Sequence, residues 1–312
     1  MKKRFRFLVL VLVGLPLLAG LLFGHRDRPV EALIPKYAPA PSEFTELMGM
    51  AVHYRDEGNP QDSLPVVLIH GTGASLHTFD AWAAALKQTK RVVRMDLPGF
   101  GLTGPFPDRD YTMDHYVKFI AEFLSARKIG RCILGGNSLG GQIAWNVALE
   151  HPEKVQKLIL IDAAGYPGKS TRVPIAFRMA RTPVLKNLLT VITPRFVVRS
   201  SVQNVYADKS KITDSLVDRY FDLSLRAGNR QALIDRLQLP AASDRVGQIR
   251  NIGQPTLIIW GAQDGLIPLE SAYRFHQDLP HDTLVILQNS GHVPMEENPA
   301  ESLAAVLNFI AE

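Results

Sequence analysis

The chain has 312 residues, 46% of them apolar and 21% charged, with a formal net charge of +5. That composition excludes a disordered, collagenous or repeat protein, and the length suffices for one large core with an insertion. Part of the charge sits in Lys2, Lys3, Arg4 and Arg6; no basic stripe with interleaved aromatic residues and no zinc-finger spacing accompanies it, so nucleic acid is not an expected partner. The single cysteine, Cys132, rules out an intrachain disulfide and reads as a small apolar residue within a strand.

Phe7 to Phe23 is an uncharged apolar run of seventeen residues behind that basic cluster. A run of this length is at the lower bound for a membrane span, and no clear cleavage site follows it. Residues 1–25 are therefore expected to be an N-terminal transmembrane anchor or signal segment, with the membrane as a partner. The basic head places the N-terminus on the cytoplasmic side. The expected address is the bacterial inner membrane, with the body of the chain facing the periplasm; the alternative is a secreted or periplasmic protein after signal cleavage. Pro29, Pro35, Pro39 and Pro41 mark residues 26–47 as a linker.

The body then alternates. Strands are expected at Met50–Tyr54, Pro65–Ile69, Arg91–Met95, Arg131–Gly135 and Val155–Ile161, with helices at Phe79–Leu86, Met113–Ala126 and Leu139–Leu149 between them. From 166 to 250 the alternation pauses for 85 residues that read as several helices. It resumes with strands at Thr256–Trp260 and Thr283–Leu287 and helices at Ser271–Leu279 and Pro299–Ile310. The fold class is α/β, a mostly parallel central sheet flanked by helices with an inserted helical cap. The core spans 48–165 and 251–312, and the cap, 166–250, lies over the carboxyl edge where such sheets bind ligands.

Gly136-Asn137-Ser138-Leu139-Gly140 has the form G-x-S-x-G between a strand and a helix, the setting of a nucleophile elbow. Gly136 and Gly140 make room for close backbone approach. The base should come late in the chain, and His292, in a loop after the last strand, fits; His281, His276 and His151 sit at a far edge or on helices. The acid is expected at Asp264, after strand Thr256–Trp260, with Asp162 as its rival and Asp96 as a structural residue. Oxyanion donors are expected from the N–H of Leu139 and from the loop His70-Gly71-Thr72-Gly73, where Thr72 is preferred, Gly73 is the alternative and His70 braces the loop.

These motifs, with Asp96-Leu97-Pro98-Gly99-Phe100-Gly101 and Gly291-His292, resemble the α/β-hydrolase superfamily over residues 48–312. The chain is similar there to capped bacterial esterases and lipases, and to carbon–carbon bond hydrolases of aromatic degradation. The resemblance implies a Ser138–His292–Asp264 triad that works without metal or organic cofactor. Ester hydrolysis through an acyl-enzyme is the first expectation, on a small-molecule or lipid ester. Carbon–carbon cleavage of the meta-cleavage type and a non-catalytic binding module are the alternatives. Apolar cap residues such as Val173 and Phe177 are candidates for an acyl pocket. Oligomeric state is left open.

Overall fold

Val66–Ile69 is a continuous apolar run of the kind that forms a strand covered on both faces. In the computed structural model, which describes residues 24–240 and 242–311, it is β3 at the middle of an eight-stranded sheet. The strands are β1 (Ser42–Leu47), β2 (Met50–Gly58), β3, β4 (Arg91–Met95), β5 (Cys132–Asn137), β6 (Val155–Ile161), β7 (Thr256–Gly261) and β8 (Asp282–Leu287). Their order is β1-β2-β4-β3-β5-β6-β7-β8; the first two pairings are antiparallel and the others parallel.

The side-chain alternation of β3 divides the core in two. Val67 and Ile69 join Phe119, Phe123, Trp145 and Phe275 on one face, while Val66 and Leu68 join Trp82, Leu86, Val306 and Phe309 on the other. After a helical turn α1 (Ile34–Tyr37), the covering helices are α2 (Asp80–Leu86), α3 (Met113–Ala126) and α4 (Leu139–Glu150). Helix α3 buries Tyr116, Phe119, Ile120 and Phe123, the stripe its spacing predicts.

Between β6 and β7 stand the cap helices α5 (Ile175–Arg181), α6 (Pro183–Leu189), α7 (Arg195–Val205), α8 (Asp214–Ser224) and α9 (Asn229–Gln238). The α/β architecture with an inserted helical cap is thus the fold of this chain. Helices α10 (Glu270–Asp278), α11 (Pro294–Glu297) and α12 (Pro299–Ala311) complete the core.

Residues 26–47 do more than link. Ser42–Leu47 pairs with β2, and residues 24–38 run along the cap as a strap. Arg28 N–H donates to Leu225 O, and Asp222 accepts from Arg28, Lys36 and Tyr37. Four prolines signal irregular chain, but the polar contacts that fasten the strap come from the cap, far away in sequence.

The membrane expectation is corrected. No helix among the described residues is long and apolar enough to cross a membrane, so the anchor, the membrane partner and the inner-membrane, periplasm-facing address lose their structural support. The run Phe7–Phe23 on which they rested lies outside the described residues.

The strap meets the core at His77, whose Nε2 donates to Tyr37 O at 2.8 Å while Nδ1 accepts from Ser75 Oγ at 3.1 Å. Burial pushes its pKa from 6.5 to about 4. The unfolded chain therefore binds this proton first as pH falls, and stability drops from about pH 6.5 to about pH 4. Burial shifts His70 in the same direction. Urea unfolding midpoints across that window should fall in the wild-type protein and fall less steeply in His77→Gln.

Candidate active site

The sharp turn between β5 and α4 places Ser138 at φ 56°, ψ −116°, a strained region for a residue with a side chain. It is fixed on every side. Ser138 N–H donates to Ile161 O, and Ser138 O accepts from Gln142 N–H and Ala164 N–H. Close approach explains Gly140: a Cβ there would stand 2.2 Å from Ile69 O. Gly136 closes β5 beneath the turn.

His292 arrives in the loop between β8 and α11, and Asp264 in the loop after β7. His292 Nδ1 donates to Asp264 Oδ2 at 2.7 Å, and both residues are buried. The other carboxylate oxygen, Oδ1, accepts from Leu266 N–H at 2.7 Å and Ile267 N–H at 3.1 Å, so Asp264 is held by its own loop. An acceptor-only carboxylate on Nδ1 leaves Nε2 free to take a proton. Asn137 Nδ2 donates to His292 O at 2.9 Å and to Ile161 O at 3.1 Å, which ties the serine turn to the histidine loop.

Thr72, Ser138 and Leu139 line one cavity of about 810 Å³, mouth included. Gly73 lines a second, apolar cavity with Ala74, Phe100 and Leu189. His70 lies behind the loop that separates them: Nδ1 donates to Gly71 O at 2.8 Å and Nε2 accepts from Leu97 N–H at 2.9 Å. His276 pairs with Asp282 on an exposed face, His281 is exposed at the sheet edge, and His151 ends α4; none lines the Ser138 cavity. Asp96 organises loops, accepting from Leu76 N–H and Leu102 N–H and bonding His53. Burial pushes the Cys132 thiol up to about 12, which removes it as a nucleophile.

Three contributors escape the sequence pattern. Buried Glu297 accepts from Gly291 N–H at 2.7 Å and from Asp208 N–H at 2.6 Å, joining the histidine loop to the cap. Arg236 and Arg181 line the Ser138 cavity. Arg236 is 8% exposed, and among the described residues its Nε has no hydrogen-bond partner and its one side-chain hydrogen bond is a 3.5 Å contact from Nη1 to Pro240 O. Among the described residues it makes no ion pair. Burial lowers its pKa against an opposing contribution from Tyr116, and the like charge of Arg181 adds a smaller push in the same direction as burial. No spacing rule marks an arginine of this kind; only the cavity does.

Fold and serine turn together define a hydrolase of the α/β class. The family model described as alpha/beta hydrolase fold matches residues 65–299, and the chain belongs to that family. It is 30% identical over 301 residues to a 2-hydroxy-6-oxononadienedioate/2-hydroxy-6-oxononatrienedioate hydrolase of Burkholderia vietnamiensis, covering 90% of this chain and 96% of that one. A meta-cleavage product hydrolase of Pseudomonas fluorescens IP01 superposes with a TM-score of 0.74 at 26% identity, covering 87% of this chain and 97% of that one. A membrane phospholipase A described as a bacterial virulence factor superposes with a TM-score of 0.71 at 27% identity, covering 100% of this chain and 98% of that one.

The expectation of a carboxylic ester hydrolase, lipid-like substrates included, is corrected by the first two of these matches. The curated relative and the Pseudomonas fluorescens structure are both hydrolases of meta-cleavage-type substrates, and they favour the alternative reading. Motif spacing locates a serine nucleophile but carries no information on the bond it attacks, which is why the order of the two readings reverses.

Gly71 abuts the serine: a Cβ there would lie 2.9 Å from Asn137 Oδ1 and 3.0 Å from Ser138 Cβ. Gly71→Ala is expected to slow fluorophosphonate labelling of Ser138 by about 10-fold or more, the scale of a misplaced reacting group. Far-ultraviolet circular dichroism should stay unchanged.

Proposed function

We propose that the chain is a serine-dependent hydrolase of the meta-cleavage type, which splits a carbon–carbon bond next to a ketone in an anionic, conjugated substrate. The observation that carries this reading is Arg236. A guanidinium in a largely buried site, without a carboxylate partner, is costly. A substrate carboxylate entering the cavity repays that cost with a charge-assisted, bidentate pair. Arg181, at the same cavity, adds to the field. A neutral ester has no use for either charge, whereas a 2-hydroxy-6-oxo dienoate brings the carboxylate.

The geometry supports the following roles. His292 takes the Ser138 hydroxyl proton as Oγ attacks the ketone carbon, and Asp264 stabilises the imidazolium. The N–H groups of Leu139 and Thr72 hold the resulting oxyanion. Once the dienol has tautomerised to its keto form, the bond to the neighbouring carbon can break. Its electron pair passes into the conjugated carbonyl system, and His292 returns the proton. Water then releases the acyl group from Ser138 as a carboxylic acid, with His292 as base. The apolar cavity beside Gly73 suits the half of the substrate that carries no charge.

The test compares a 2-hydroxy-6-oxo dienoate, followed by loss of its conjugated absorbance, with p-nitrophenyl esters of several chain lengths. The dienoate should have the higher kcat/KM. Ser138→Ala should lower its turnover by about 10³-fold or more. Arg236→Met should raise KM about 10-fold with a smaller change in kcat, the pattern of lost ground-state binding. Turnover of neutral esters with none of the dienoate would overturn the proposal.

A further inference from the structure

Asp162 stands after β6 as Asp264 stands after the adjacent β7, at the same edge of the sheet. It is fully buried and held at φ 43°, a left-handed conformation that aspartate tolerates at some cost. Asp162 N–H donates to Ile259 O, and Oδ1 accepts from Gly261 N–H at 2.9 Å. The second oxygen, Oδ2, is buried and has no hydrogen-bond partner among the described residues. A ligand oxygen of Asp162, one of Asp264 and a ring nitrogen of His292 all lie within 4.8 Å of one another. That spacing would suit a cation, but the His292–Asp264 hydrogen bond already commits two of the three residues to each other. A buried carboxyl with an idle oxygen beside a histidine and its acid calls for a role.

We propose that Asp162 is a reserve acid for His292, a positioning residue able to replace Asp264 in orienting the imidazole and stabilising its charge. The inference rests on the triad roles proposed above and is independent of the carbon–carbon substrate. Three titratable groups face Asp162: Asp264 from the loop after β7, His292 from the loop after β8, and Glu297 from α11. Burial and the neighbouring Asp264 charge hold the Asp162 carboxyl well above its ordinary range. With Asp264 ionised, Asp162 keeps its proton, and Asp264 is the carboxylate within reach of it. When the Asp264 carboxyl is removed, the repulsion goes with it. Asp162 then loses its proton to solvent, and the histidine again faces one carboxylate. The number of negative charges behind the imidazole is the same in both states. The purely structural alternative is that Asp162 does no more than anchor the end of β7 through Gly261 N–H.

A double-mutant cycle on fluorophosphonate labelling of Ser138 separates the two. The probe needs the triad but no knowledge of the substrate. Asp162→Asn retains an acceptor for Gly261 N–H and cannot ionise. In an otherwise wild-type protein it should slow labelling by less than about 3-fold, whereas Asp264→Ala should slow it by about 10²-fold and the double variant by about 10⁴-fold, the loss associated with a missing triad acid. The Asp264→Ala rate should also fall at low pH along a limb that Asp162→Asn abolishes. Asp264→Ser, which keeps an acceptor for Leu266 N–H, repeats the cycle should the alanine variant fail to fold. A full 10⁴-fold loss in Asp264→Ala alone, or a double variant no slower than that single variant, overturns the proposal. A wild-type protein that does not label overturns it together with the triad. Failure on the dienoate substrate with normal labelling leaves it standing.

Discussion

One backbone conformation organises this site. A serine at φ 56°, ψ −116° costs about 1–3 kcal/mol, and the surrounding structure must over-determine it. It does so from two strands and a loop. The end of β6 accepts from the Ser138 N–H, the end of β3 lies against Gly140, and the loop after β3 lies against the serine side chain through Gly71. The result aims a hydroxyl out of the sheet edge, with no side-chain cap hydrogen bond to the helix that follows. Each glycine in the motif answers to a named neighbouring atom, so the pattern is a record of backbone packing as much as of chemistry.

The histidine reaches this turn by a different route, and the cap takes part in it. His292 N–H donates to Val205 O at the end of α7, and Glu297 bridges Gly291 to Asp208. His292 is therefore seated on cap backbone as well as on the core. The cap in turn is tied down by the strap, whose cations and Tyr37 converge on Asp222. A disturbance of the strap travels by contiguous contacts through α8 and the cap toward the histidine loop, a physical path made of hydrogen bonds rather than of proximity alone.

The sequence made the sheet and the serine turn legible because both obey local rules. β-branched runs mark Val66–Ile69 and Val155–Ile161, and the spacing of Gly136, Ser138 and Gly140 marks the turn. What it hid depends on partners distant in sequence. Strand β1, Ser42–Leu47, reads as polar chain because only part of it is covered, and its register is set by β2. Helix α7, Arg195–Val205, buries only Val197 and Val202, so little of its stripe stands out in the sequence. Glu297 looks like any glutamate near a helix start, yet it is buried and bonded to two loops. Arg236 at the Ser138 cavity belongs to this hidden class too, since only the folded chain brings that part of the cap to the cavity wall.

Two arginines of the cap show how such walls are read. Arg219, on α8, is little exposed, but it pairs with Glu296, which also accepts from Tyr220 Oη at 2.8 Å. Its charge is balanced within the protein, and it asks nothing of a ligand. Arg236, on α9, is more deeply buried and has no such partner among the described residues. Pairing a buried charge gives at most a modest net gain, but leaving one unpaired costs several kcal/mol. A fold that retains the second kind of arginine at the wall of its reactive cavity has left part of its electrostatics for a guest to complete. Under the proposed function the guest is anionic and places that charge on the Arg236 side while its carbonyl lies over Ser138. That double demand narrows the substrate further than the triad does.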